Sequence, residues 1–267
     1  MENVKKGILV VSFGTSHGDT RVKTIEAIEK DIENVYTDRS IYRAWTSNIL
    51  INKLKCRDGY HVDTVKEALE RMKKDGITHV VVQPTHVING MENDRMKDDV
   101  LPYMETFASV AFGTPLLTGK QDCADVRKVL TEEFREIPED TAVIFLGHGT
   151  AHKANAVYAA LDRQLKDMGR TNFYMRTIEA DTPFEPLQME ILEKGYRRVI
   201  LAPFMIVAGE HAKHDMVGRK DSWKSRLEEI GCRVECVFKG LGEYEGIRRI
   251  FLDHIKEAET VCEGYEV

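Results

Sequence analysis

The chain has 267 residues, with 38 Lys and Arg against 44 Asp and Glu and a formal charge of −6. That length admits one large α/β domain or two smaller ones, and the charge balance argues against a nucleic-acid binder or a partner of anionic membranes. No segment approaches the roughly 20 consecutive apolar residues that a bilayer span needs. The opening MENVKKGILVVSFG is too short an apolar run for a signal-peptide core and reads as a first buried strand. Five scattered cysteines (56, 123, 232, 236 and 262) suit a reducing cytoplasm, where thiols serve as small apolar side chains. Cys232 and Cys236 share a face of a predicted strand, but no second pair completes a metal site.

In chain order, GILVVSF (7–13) is a continuous apolar run, the pattern of a strand buried on both faces of a parallel sheet. An amphipathic helix follows over about 20–35. Strands are then expected at IYRAW (41–45), THVVVQP (78–84) and SVAFG (109–113), with helices between them. The pattern restarts with TAVIFLG (141–147), NFYMRTI (172–178), RRVILAP (197–203) and CRVECVF (232–238). Strands alternating with helices imply parallel sheets built from βαβ units. The expected architecture is two similar flavodoxin-like halves, each a four-stranded parallel sheet flanked by helices. The division falls at 1–125 and 126–267, with the C-terminal helix free to pack back on the first half.

The restart is a repeat in residues as well as in topology. VSFGTSHGD (11–19) and LGHGTAHKA (146–154) share Gly-Thr-(Ser/Ala)-His after a strand, but Phe13 stands where the second copy has His148. VVVQPTHVING (80–90) likewise parallels VILAPFMIVAG (199–209), aligning Pro84 with Pro203 and Gly90 with Gly209. In open α/β sheets, ligands bind beyond the carboxyl ends of the strands. His148, Glu179 and His211 all emerge there from the second half, after its first, second and third strands. The first half has Phe13, Trp45 and Glu92 at the matching places. Two imidazoles and a carboxylate suit a divalent transition metal with open coordination positions, and equally a proton transfer. The glycines around His148 also fit an anion-cradling turn, although no Walker lysine, G-x-G-x-x-G or G-x-S-x-G accompanies them.

Taken together, LVVSFGTS (9–16), YRAWTSNILINKL (42–54), QPTHVING (83–90), GHGTAH (147–152), APFMIVAGEHAKHDM (202–216), DSWK (221–224) and GLGE (240–243) resemble one family. It is the CbiK-type anaerobic sirohydrochlorin cobaltochelatases of cobalamin biosynthesis, in the class II chelatase superfamily. The resemblance spans nearly the whole chain. It implies a chelatase-like fold and a lyase that inserts Co(II) into sirohydrochlorin or precorrin-2 without ATP or another nucleotide. It also implies His148, Glu179 and His211 as metal-binding residues, with His148 or His211 as the proton acceptor. Glu210 and Glu185 are substitutes for Glu179, and His214 is a second imidazole in the last loop.

Inserting a metal into a tetrapyrrole means stripping water from the ion, removing two pyrrole protons and bending the ring. A neutral imidazole can bind the ion or take a proton. A flat macrocycle rimmed with carboxylates calls for apolar walls and peripheral cations. Phe13, Trp45, Met205 and Ile206 are candidate walls, and Arg43 and Lys213 candidate carboxylate partners. His86, after the third strand, is either a proton acceptor across the ring or a structural histidine. The ligand set alone does not choose among Co(II), Fe(II) and Ni(II), and a non-catalytic metal or tetrapyrrole carrier would use the same cleft. Homo-oligomerisation stays open.

Overall fold

The structure, a computed structural model, describes residues 4–179, 184–209, 212–218 and 221–263. All eight expected strands form, with ends displaced by at most two residues. The first half runs β1 (Lys6–Ser12), α1 (Gly18–Lys23), α2 (Ile25–Val35), β2 (Ser40–Trp45), α3 (Asn48–Asp58), α4 (Val65–Lys74), β3 (His79–Pro84), α5 (Met91–Val100) and β4 (Ser109–Phe112). Helix α6 (Lys120–Glu133) follows and is continuous through residues 125 and 126. The second half runs β5 (Thr141–Gly147), α7 (Ala156–Asp167), β6 (Phe173–Thr177), α8 (Phe184–Glu193), β7 (Arg198–Pro203), α9 (Trp223–Glu229), β8 (Arg233–Cys236) and α10 (Glu245–Glu263).

Each sheet is fully parallel, and the two orders, β2-β1-β3-β4 and β6-β5-β7-β8, are the same topology twice. The continuous apolar strands have the explanation their composition suggested, since both faces of each sheet are covered. Along β1, Ile8 and Val10 face one core while Leu9 and Val11 face another, made with α4 and α5. In the second sheet, Ala142, Ile144 and Leu146 face a layer that includes Phe184 and Leu187 of α8 and Trp223 of α9. The remaining faces meet: Ile8 and Val10 belong to the same continuous core as Val143 and Phe145. At its centre Phe134, Phe145 and Phe173 pack edge to face, with centroids 5.3–6.5 Å apart.

One element departs from the sequence expectation. The helix expected over about 20–35 is broken at Thr24, which is buried and turns out of helical geometry at φ −121° and ψ −81°. The GLGE segment lies against that break: a Cβ on Gly242 would sit 2.9 Å from the Thr24 Cα. Cys232 and Cys236 belong to no metal-sized group among the described residues. Both pack in the second-half core, and burial pushes both thiols up.

Helix α10 returns to the first half, packing on α2, α6, β3 and β4. Phe251 and Ile255 enter the shared core, while Tyr36 donates to the Leu252 carbonyl at 3.2 Å and Arg248 pairs with Asp31 at 2.6 Å. Buried His254 fastens the helix from inside. Its Nδ1 lies 2.9 Å from the Thr114 carbonyl and its Nε2 3.0 Å from Asp122, so both ring nitrogens face acceptors. Asp122 also accepts from the Thr118 and Gly119 amides. The His254 hydrogen bond and the two amides hold its carboxyl below the usual value, although its burial opposes them. A carboxyl lowered in the folded state stabilises above its unfolded pKa, and the contribution disappears as pH falls through the folded value. Asp122→Asn is therefore expected to cost about 1–2 kcal/mol in urea unfolding at pH 7. The difference from the parent should shrink in strong acid; an equal difference at both pH values would contradict the assignment.

Candidate functional site

The repeated turn is the same structure twice. After β1, Gly14 takes φ +104°, and after β5, Gly149 takes φ +84°, a region that favours glycine. In both copies the threonine hydroxyl accepts the amide of the histidine two residues on, Thr15 from His17 and Thr150 from His152, each at 3.2 Å. What differs is the residue on the strand side. Phe13 leaves β1 with a ring 47% exposed, while β5 delivers His148.

His148 and Glu179 come together at the ends of adjacent strands. The Glu179 amide donates to the His148 carbonyl at 2.8 Å, which extends the β5–β6 pairing by one step. That register sets the Glu179 carboxylate 3.3 Å from His148 Nδ1, with the two side chains about half exposed. The same nitrogen lies 3.0 Å from the Gly149 carbonyl. Two oxygen acceptors at Nδ1 place the ring proton there, so the lone pair that can hold a cation is on Nε2. Glu179 thus sits where it can orient the imidazole and lower the charge of an ion bound to it.

His211 and Glu210 lie outside the described residues, as does the side chain of Lys213. Among the described residues no third His, Cys, Asp or Glu joins His148 and Glu179 in a metal-sized group. His214 is exposed on the helical turn Ala212–Gly218. Glu185 is engaged elsewhere, paired at 2.9 Å with Arg226, whose guanidinium covers the Phe184 ring. Met205 is half-buried against the second-half core, and its carbonyl is tied to the Leu241 amide at 2.8 Å.

Two of the wall and partner assignments need correction. Trp45 is 1% exposed, because its ring lies directly beneath Gly14 among Ile25, Ile51 and Leu54; it supports the turn and cannot face a ligand. Arg43 sits mid-strand opposite Val10, and both oxygens of Glu29 plus the Tyr60 hydroxyl occupy its guanidinium. Burial pushes the Glu29 carboxyl up, and Arg43 opposes that. Arg43→Ala is accordingly expected to leave KM for a carboxylate-rich substrate unchanged. It should cost about 1–2 kcal/mol of stability, after discounting for the partly exposed guanidinium. A raised KM with unchanged Tm would restore it to the site. His86 is enclosed: neither ring nitrogen has a hydrogen-bond partner among the described residues, and burial pushes it down to about 4. Buried at 8% exposure, it is neutral at pH 7, which suits the structural one of its two readings.

One contact had no sequence signal. His152 Nε2 lies 3.6 Å from Asp94 on α5, linking the second-half turn to the first half. The shared Gly-Thr-x-His marks the histidine, but nothing in MENDR marks Asp94.

Comparison with known proteins matches residues 6–260 to the family described as cobalt chelatase (CbiK). The sirohydrochlorin cobaltochelatase of Salmonella typhimurium is 36% identical, with 96% of this chain and 97% of that protein covered. Sirohydrochlorin cobaltochelatase CbiKC of Nitratidesulfovibrio vulgaris is 32% identical, with 97% and 92% covered. Among solved structures, SirB from Bacillus subtilis with Fe3+ superposes with a TM-score of 0.68 at 14% identity, covering 98% of both chains; its likeness is one of fold. Two parallel sheets of one topology, a His–Glu pair at the strand ends and a match across nearly the full length converge: the chain belongs to the cobalt chelatase (CbiK) family.

Proposed function

We propose that this chain is a sirohydrochlorin cobaltochelatase of cobalamin biosynthesis, a lyase whose two substrates are Co(II) and the macrocycle. The His148–Glu179 pair at the ends of β5 and β6 carries the reading, in a chain whose family match spans both halves. Co(II) enters the ring as two pyrrole N–H bonds break, and the two protons leave to an imidazole and to solvent. The exchange has no redox step and no phosphoryl transfer, so it calls for no nucleotide. Precorrin-2 is the alternative ring.

In this reading the second half, residues 126–267, supplies the cation side through His148, Glu179 and His211, with Lys213 reaching a ring carboxylate. The first half, residues 1–125, supplies a wall, and the half-exposed Phe13 is its aromatic face. Met205, half-buried against the second-half core, is the second half's candidate wall. An imidazole that carries its proton on Nδ1 can offer Nε2 either to the incoming ion or, once unloaded, to a pyrrole proton. Among the described residues no helix is long and apolar enough to cross a membrane, and a cytoplasmic reaction belongs to the same proposal.

The test is anaerobic metal insertion followed by the visible spectrum of the ring, with Co(II), Fe(II) and Ni(II) in parallel. Many turnovers per chain with Co(II) are expected. A reaction that stops at one equivalent with all three would make the protein a carrier. Preferred turnover with Fe(II) or Ni(II) would keep the chemistry and change the metal.

A further inference from the structure

The turn that the two halves share carries a histidine that the reading above leaves idle, His17 in the first copy and His152 in the second. His152 accepts a hydrogen bond at one ring nitrogen and faces a carboxylate at the other. Nδ1 accepts the Ala154 amide at 3.1 Å, capping the short turn Lys153–Asn155. A nitrogen that accepts carries no proton, so the N–H of the neutral ring is on Nε2, which lies 3.6 Å from Asp94 Oδ2. Asp94 is in the first turn of α5, and its own amide donates to Gly90 at 3.0 Å. The contact therefore runs from the loop after β5 to the helix after β3, from one half to the other.

The first copy makes the corresponding approach. A Cβ on Gly209, in the loop after β7, would lie 3.7 Å from Thr15 Oγ1 and 3.9 Å from His17 Cδ2. Gly209 and Gly90 are equivalent in the repeat, so the first turn approaches the loop after β7 and the second approaches the helix that begins after Gly90. His152 lies four residues beyond His148 on the same turn, which Thr150 and Asn155 brace from within at 3.2 Å and 3.1 Å. Whatever fixes His152 against α5 also fixes where the His148 ring stands relative to the first half.

We infer that His152 and Asp94 are positioning residues for metal insertion, a latch between the halves that sets the spacing of the His148 imidazole from the macrocycle held by the first half. Neither touches the reacting atoms. A half-exposed pair of this kind contributes little to folding stability. Its effect falls on alignment, where a displacement of about 1 Å is costly to rate. The inference rests on His148 as a metal-binding residue.

The experiment is a double-mutant cycle on the full chain with Asp94→Ala, His152→Ala and the pair, plus His152→Gln, whose amide keeps one acceptor and one donor. Each alanine variant is expected to lower kcat for Co(II) insertion about tenfold with KM little changed. The double variant should lose no more than either single, as residues acting through one contact do. His152→Gln should recover much of the loss. Co(II) affinity without the tetrapyrrole, read by absorption titration, should stay at the parental value, as should the Tm of Asp94→Ala, whereas His152→Ala also loses the cap on Ala154. Additive losses, or a wild-type kcat in Asp94→Ala, overturn the latch; Asp94→Ala removes no helix cap and carries the test even where His152→Ala folds poorly. Failure of the supporting assignment reads differently: His148→Ala would then bind Co(II) at parental affinity, whatever the cycle shows.

Discussion

His148→Ala is expected to reduce Co(II) insertion by more than about 100-fold and to abolish tight Co(II) binding before any ring is added, without a matching loss of Tm. The magnitude follows from removing a ligand outright, since loss of a group that merely orients a ligand already costs 10- to 100-fold. The imidazole is built for the task by its surroundings. The Gly149 carbonyl at 3.0 Å and the Glu179 carboxylate at 3.3 Å both face Nδ1, which commits the proton there and the lone pair to Nε2. Alanine removes all of this while leaving Gly149 and the backbone pairing of Glu179 untouched. Glu179→Gln should be milder, about tenfold, because the amide retains an acceptor for Nδ1–H but withdraws the negative charge. Equal insertion rates in wild type and His148→Ala would take the imidazole out of the mechanism and move the search to His214.

Gly14→Ala is the largest structural effect expected, roughly 3–5 kcal/mol, or about 10 °C or more in Tm for a chain of this size. Two costs coincide at this position. An alanine at φ +104° is strained on its own account. Its Cβ would also sit 2.5 Å from Cε3 and 2.7 Å from Cδ2 of Trp45, an indole that is fully buried and has no free side to retreat to. Since the same turn presents Phe13, turnover is expected to fall as well. Thermal unfolding of Gly14→Ala beside Gly18→Ala is the direct check. Nothing lies within 4 Å of a Cβ at Gly18, which should behave like the parent. A Gly14→Ala protein as stable as the parent would mean that the Trp45 ring is not seated where the structure has it.

The strands were legible because parallel strands covered on both faces leave a nearly unbroken apolar run, clearest in β1, β3, β5 and β7. His148 and Glu179 were legible for a topological reason: they follow consecutive strands whose ends must lie on one edge of a sheet. Trp45 follows the same rule and misleads. It ends β2 as Glu179 ends the region of β6, but the missing Cβ of Gly14 opens a space into which its indole folds. Position along a strand says which edge a residue is near, and only packing says which way it faces. Arg43 was misread because its charge was visible and its partner was not; Glu29, on α2, is a buried residue that composition marks as solvent-exposed. The break at Thr24 lies against Gly242, more than two hundred residues away, and no local window contains that contact.

The return of α10 to the first half has a consequence for how the protein is made. During synthesis β1 to β4 are complete long before residues 245–263 exist, yet Ile8, Val10 and Val81 share their core with Phe251 and Ile255. The usual order, in which an N-terminal unit folds as soon as it emerges, is therefore closed to this chain. An apolar sheet face must wait on the ribosome until residues 245–263 have been made. Over that interval it is a surface for chaperones, or for another nascent copy of itself.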